Sequence, residues 1–147
     1  MTLTEEVLCD WGRRIGSTVG PPAFFALSGE LGAGKSVLAR AIARGAGVTA
    51  SMPSPTFNIL FRYDTGRGST VVHLDLYRLE SPAQLAGLGW REIGAEDEIV
   101  IVEWPERAGA HLPADRWDIM LEHAGADLRR VEWRARGRSA PLPDPGR

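Results

Sequence analysis

The stretch Gly29-Glu30-Leu31-Gly32-Ala33-Gly34-Lys35-Ser36 constrains this chain more than any other. It fits G-x-x-x-x-G-K-[ST], the spacing of a phosphate loop. Its flanks decide whether the spacing carries meaning. Before it runs Ala23-Phe24-Phe25-Ala26-Leu27, short, continuous and apolar, directly after Pro21-Pro22. A parallel strand buried on both faces reads this way. After it, Val37 to Arg44 carries Leu38, Ala41 and Ile42 at helical spacing, with Gly45 as the expected stop. Strand, glycine loop and helix thus follow in the order that the motif requires.

Lys35 is the only lysine in a chain whose Lys and Arg together number 17. Where a generic positive charge suffices, this chain uses Arg. A single Lys kept inside a glycine loop points to a tight cavity that admits a slender stem and a compact charge. Glycines permit positive φ and close approach of the backbone. Successive amides and the positive end of the following helix then face an anion. The pattern predicts a nucleotide site built from Gly29, Glu30, Leu31, Gly32, Ala33, Gly34, Lys35 and Ser36. Lys35 would reach the β and γ phosphates, and the Ser36 hydroxyl would be available to Mg²⁺.

With 147 residues the chain is about one domain long. Residues 1–136 read as that domain. Residues 137–147, ending "RSAPLPDPGR", are expected to be a disordered tail. A net charge of -2 argues against a nucleic-acid binder by bulk charge. The one cysteine, Cys9, excludes an internal disulfide and a thiolate metal cluster. The opening "MTLTEEVLCDW" lacks a basic n-region and an apolar h-region, and no apolar run reaches membrane-spanning length. A cytoplasmic location with no membrane role is expected.

The remaining periodicity gives an outline. Thr4 to Ile15 reads as an amphipathic helix with Val7, Leu8, Trp11 and Ile15 on one face and Gly16 to end it. Phe57 to Tyr63 and Ser69 to Leu76 read as strands joined by "DTGRG". Ser81-Pro82 starts a short helix through Leu88. "EIVIV" at Glu98 to Val102 is a further buried strand, and Arg116 to His123 with Leu128 to Arg136 form a second hairpin around "AGAD".

Two acids close strands: Asp75 after "VVHL" and Glu103 after "IVIV". In a phosphate-loop protein, one such acid faces Mg²⁺ and another can orient water on the γ-phosphate. The pattern does not divide these roles. His73, on the same strand face as Asp75, reads as a hydrogen-bonded strand histidine, since no second His or Cys accompanies it. Trp104 reads as core by residue type. Arg129 to Arg138 carries five arginines, a composition that fits either the wet face of a strand or contact with RNA or an acidic partner.

Four stretches, "LSGELGAGKS", "SPTF" at Ser54 to Phe57, "HLDLYRL" at His73 to Leu79 and "VEWPER" at Val102 to Arg107, occur together in one order. In that order and spacing the chain resembles the TsaE (YjeE) family, bacterial ATPases needed for threonylcarbamoyl modification of adenosine in tRNA. The resemblance implies an α/β, P-loop NTPase-like three-layer fold with a central mixed parallel and antiparallel sheet. It implies that ATP is bound with Mg²⁺ and slowly hydrolysed. Carried over by position, Ser36 and Glu103 hold Mg²⁺, Asp75 and Lys35 serve hydrolysis, and Thr56 senses the γ-phosphate. Trp104 and Arg78 match family positions. The implied partners are TsaD, which carries the transferase chemistry, and its scaffold TsaB, with tRNA met only through their complex; the oligomeric state is left open by the sequence, with a monomer favoured. Ser36 stands where Thr is the commoner family residue, and Leu8 where the family often has Thr.

Other nucleotide readings fare less well. A GTPase would need Asn-Lys-x-Asp, which a chain with no lysine beyond Lys35 cannot supply. A small-molecule kinase would share the loop but not "HLDLYRL" or "VEWPER". A nucleotide-gated binding module, in which occupancy and not hydrolysis carries the signal, or a small-molecule P-loop kinase, remains the alternative.

Overall fold

The computed structural model describes residues 1–52 and 59–146. Its elements follow from the apolar runs. The strand before the glycine loop, β2 (Ala23–Gly29), lies inside a seven-stranded sheet. The others are β1 (Thr2–Thr4), β3 (Leu60–Asp64), β4 (Thr70–Asp75), β5 (Glu98–Glu103), β6 (Arg116–His123) and β7 (Leu128–Arg136). The spatial order is β1-β7-β6-β2-β5-β4-β3. The pairs β2–β5, β2–β6 and β4–β5 are parallel, whereas β1–β7, β6–β7 and β3–β4 are antiparallel. The sheet is mixed, as expected, and its parallel centre is the part that reads as continuous apolar sequence. β1, three residues long, is too short to show a period and has no counterpart in the sequence reading.

Two helices, α1 (Glu5–Thr18) and α2 (Lys35–Ala46), cover one face of the sheet. Phe25, Leu27, Val71, Ile99 and Ile101 point into the core beneath them. The alternate residues Phe24, Val72, Leu74, Val100 and Val102 fill the opposite core. That side is covered by 3₁₀ turns at Pro82–Leu88, Trp90–Glu92 and Pro105–Arg107. The short helix expected after Ser81-Pro82 is therefore present as a 3₁₀ helix. Helices, sheet and turns make the three layers of the α/β fold. Among the described residues, no helix is long and apolar enough to cross a membrane.

Thr4 caps α1, its Oγ1 accepting from Val7 N at 3.2 Å, with Glu5 and Glu6 in the first turn. Two expected stops are corrected. α1 continues through Gly16 to Thr18, and α2 continues through Gly45 to Ala46. These glycines are sites of helix contact. A Cβ on Gly16 would lie 2.0 Å from Ile42 O, and one on Gly45 would lie 2.1 Å from Arg13 O. The two backbones approach too closely for any side chain.

The tail is a second correction. The described part, residues 138–146, packs onto the domain. Trp117 Nε1 donates to Ala140 O and Trp11 Nε1 to Pro143 O, each at 2.7 Å, and Leu142 is buried. Composition reads as disorder because it does not reveal the indoles that take the carbonyls of Ala140 and Pro143.

The Arg-rich stretch forms β7, and part of its charge is met by β6. Arg136 Nε contacts Asp118 Oδ2 at 2.7 Å and Arg130 Nη1 lies 3.5 Å from Glu122 Oε2. This is the wet strand face that the sequence allows.

Candidate functional site

Register brings the site together. Across β4–β5, Asp75 pairs with Glu103, and across β2–β5, Leu27 pairs with Glu103. The carboxyl ends of three parallel strands are therefore flush, and the glycine loop leaves β2 at that edge. In open α/β sheets this edge is where ligands bind. The period of two puts His73, Asp75 and Glu103 on the helix face with Ile101, facing the start of α2.

Gly34 precedes α2 at φ 107°, and Gly29 ends β2 at φ 146°. Left-handed residues alternating with ordinary ones turn successive amides to one side, which makes a concavity suited to anions. Ala33 N donates to Glu30 O at 3.1 Å and fixes the turn. Leu31, by contrast, points outward and is 71% exposed.

Lys35 curls beneath the loop. Its Nζ donates to Gly29 O at 2.5 Å and to Glu30 O at 2.8 Å. It is only 4% exposed. Burial pulls its pKa below the usual lysine value, against the opposing pull of Glu103, Glu106, Asp75 and Glu30. The Trp104 ring lies under the ammonium, 4.1 Å from Nζ to the centroid, and Tyr77 packs on that indole at 4.9 Å. Trp104, read from the sequence as core, packs against the second core and is also a wall of this site. Its position directly after a strand-end acid was the available signal.

Ser36 Oγ donates to Glu103 Oε1 at 2.8 Å. The other carboxylate oxygen, Oε2, lies 2.6 Å from His73 Nε2. Glu103 is buried, and both of its oxygens are engaged. Asp75 differs. Its Oδ1 accepts from Tyr77 N at 3.0 Å, and its other oxygen takes no hydrogen bond among the described residues. Burial raises the Asp75 pKa; Glu103 adds to the rise, while the Tyr77 amide, His73 and Lys35 oppose it. Geometry thus separates two acids that the sequence left equivalent: Glu103 is tied to the loop serine, and Asp75 is held beside it with a free edge.

The oxygen pair Ser36 Oγ and Glu103 fits a hard cation such as Mg²⁺, which is held by one or two carboxylates together with substrate phosphates and water. Among the described residues, no three His, Cys, Asp or Glu side chains are clustered to hold a metal. The chemistry suits an ion that arrives with a phosphate ligand better than a closed protein cage. Thr56 lies outside the described residues, as does the rest of "SPTF". A cleft of about 460 Å³ beside Gly29 is lined by Glu30, Glu106 and Glu122, which suits a polyanion poorly.

Comparison with known proteins identifies the family. The family model described as "Threonylcarbamoyl adenosine biosynthesis protein TsaE" matches residues 2–137. A Bacillus subtilis protein named "tRNA threonylcarbamoyladenosine biosynthesis protein TsaE" is 34% identical over 117 residues, covering 80% of this chain and 72% of its own. Proteins of the same name from a Nostoc species and Rickettsia bellii are each 33% identical, over 87% and 86% of this chain and 80% and 87% of theirs. The crystal structure of Bacillus subtilis YdiB superposes with a TM-score of 0.73 at 24% identity, covering 93% of this chain and 86% of that one, and so shares its fold. With the family match running from the first strand to the end of β7, and with relatives at a third identity over most of their length, this chain belongs to the TsaE family of threonylcarbamoyl adenosine biosynthesis proteins.

Proposed function

We propose that this chain binds ATP with Mg²⁺ at residues 29–36, hydrolyses it slowly, and by that cycle resets a TsaD–TsaB complex between rounds of threonylcarbamoyl modification of adenosine in tRNA. The observation that carries the reading is the 2.8 Å contact between Ser36 Oγ and Glu103 Oε1 beneath the glycine loop. A loop hydroxyl and a strand-end carboxylate meeting in this way is the protein half of a nucleotide-bound Mg²⁺ site.

Each residue has a distinct part. The amides of residues 29–36 cradle the phosphates. Lys35 exchanges the Gly29 and Glu30 carbonyls for β and γ phosphate oxygens. Ser36 and Glu103 hold Mg²⁺, directly or through water; when bound, the ion neutralises charge that develops on the phosphate oxygens. Asp75 orients a water on the γ-phosphate and receives its proton as the water oxygen bonds to phosphorus and the bond to ADP breaks. Burial raises the Asp75 pKa, which makes its carboxylate a better proton acceptor than an ordinary aspartate. The partners are TsaD and TsaB, with tRNA met only through them, in keeping with the net charge of -2.

The test is phosphate release by the protein alone and with TsaD–TsaB, for wild type and Asp75→Ala. Slow turnover alone, faster with the complex, is expected. The variant should bind ATP yet neither turn over nor support modification. Modification sustained by a variant that cannot hydrolyse would make the chain a nucleotide-gated module. Phosphate transferred to an added metabolite would make it a kinase.

A further inference from the structure

The Glu103 carboxylate is gripped at both ends. Oε1 accepts from Ser36, and Oε2 lies 2.6 Å from His73 Nε2. An ionised carboxylate only accepts, so Nε2 carries the hydrogen. Both partners of this contact are enclosed: His73 is 6% exposed and Glu103 2%. Toward the other end of that strand face, Val71, Ile99 and Ile101 are apolar. A polar ring at such a position is costly to bury unless it is hydrogen-bonded, and Glu103 supplies the bond. β4 places the ring two residues before Asp75, diagonal to Glu103 across the parallel pair, with His73 beside Ile101 and Asp75 beside Glu103.

We infer that His73 is a positioning residue for the metal-side carboxylate: its Nε2–H fixes the plane of Glu103, so that Oε1 is presented to Ser36 and to the divalent ion that accompanies the nucleotide. This rests on the reading of Ser36 and Glu103 as the Mg²⁺ pair. His73 touches neither nucleotide nor ion and acts through Glu103 alone. Partners of this kind hold a ligand's orientation, and losing one typically lowers metal affinity 10- to 100-fold. The strand histidine that fits no ligand cluster in the sequence thereby gains a role.

The experiment is calorimetry of ADP binding in excess Mg²⁺ and again in EDTA, with the ratio of the two affinities as the readout. It needs no turnover. His73→Leu removes the donor while filling the space. It should reduce the Mg²⁺-dependent gain at least tenfold and leave the EDTA affinity within about twofold, since the loop amides and Lys35 are untouched. His73→Gln, whose amide nitrogen reaches where Nε2 lies, should restore most of the gain, and His73→Asn, one bond shorter, should not. If His73→Leu fails to fold, the Gln and Asn pair carries the same contrast. A wild-type gain retained in the Leu or Asn variant overturns the inference. So does an equal fall in both affinities, which would mark a purely structural histidine. A wild type whose ADP affinity ignores Mg²⁺ would instead remove the Ser36–Glu103 reading beneath it, and the inference with it.

Discussion

The Lys35 ammonium stands 4.1 Å from the centroid of the Trp104 indole, and Trp104 reaches that place from a left-handed backbone, φ 59°. It is the one positive-φ residue other than glycine among those described. Bulky side chains rarely adopt this conformation, at a cost of order 1–3 kcal/mol when they do. The strain sits directly after Glu103, where it turns the chain so that the ring lies under the charge. Trp104 N donates to Leu27 O at 3.3 Å and ties the turn to β2.

Two substitutions separate strain from contact. Trp104→Gly removes the ring and the strain together, whereas Trp104→Ala removes the ring and keeps a Cβ at positive φ. The Gly variant is expected to be the more stable by about 1 kcal/mol in urea unfolding. Both lose the ring's attraction for the ammonium, on the order of 0.5–2 kcal/mol, and should weaken ATP binding alike. An Ala variant as stable as the Gly variant would mean that the left-handed turn is not retained.

Ionising Asp75 is costly to the fold. Burial raises its pKa above the ordinary 3.8, so the folded protein holds this proton more tightly than the unfolded chain does. Its favourable contribution is therefore greatest at low pH and is lost as pH rises through the folded-state pKa. Asp75→Asn keeps an acceptor for the Tyr77 amide and carries no charge to desolvate. It is expected to melt at a higher temperature than wild type at neutral pH. The gain should shrink as pH falls toward 3.8, and turnover should be lost. Equal melting temperatures at pH 7 would show that ionising Asp75 costs the fold nothing.

The legible part of this molecule was whatever repeats or carries a motif. Apolar runs announced β2, β4 and β5, and the loop announced its own helix. The hairpin strands β6 and β7 match their expected limits. What stayed hidden depends on distance between segments. Gly16 and Gly45 look like stops because a glycine required by a neighbouring helix is written no differently from one required by a cap. The division between Glu103 and Asp75 is set by strand register and by which acid His73 reaches, and neither has a local signature. Residue type places Trp104 against the core, where it does pack, but does not reveal the unusual φ that also sets its ring beside Lys35. Thr56, a candidate by resemblance alone, falls outside the described residues.

The loop glycines should differ sharply in what they tolerate. A Cβ on Gly29 would fall 2.3 Å from Leu121 O, a backbone atom of the strand paired with it. A Cβ on Gly32 would meet only the His123 ring, at 3.6 Å, so its cost is that of φ 79° alone. Gly32→Ala is expected to lose about 1–2 kcal/mol of stability. Gly29→Ala should lose roughly 3 kcal/mol or more, because β2 and β6 must part. Denaturant midpoints measure both, and similar midpoints would refute the tight β2–β6 approach.

The tail gives the last prediction. Removing residues 138–147 withdraws the carbonyl acceptors of two indoles, Trp11 and Trp117, and the buried Leu142. Arg14 Nη2 also loses its contact with Asp144 O, at 2.9 Å. A buried leucine stabilises by about 1.5–3 kcal/mol and each hydrogen bond by about 0.5–1.5. Ordering the segment opposes this, less than usual because Pro141, Pro143 and Pro145 already restrict the free chain. A net loss of about 1–3 kcal/mol is expected, with tryptophan emission shifted to the red as water reaches the indoles. Trp11 lies on α1, whose Leu8 Cδ2 would be 3.3 Å from a Cβ on Gly34, so the strap steadies the helix that backs the glycine loop. The truncated protein should therefore also bind ATP more weakly at a temperature near its melting point than well below it, relative to wild type. An unchanged denaturant midpoint and an unchanged emission maximum would show the tail to be an ornament of the fold.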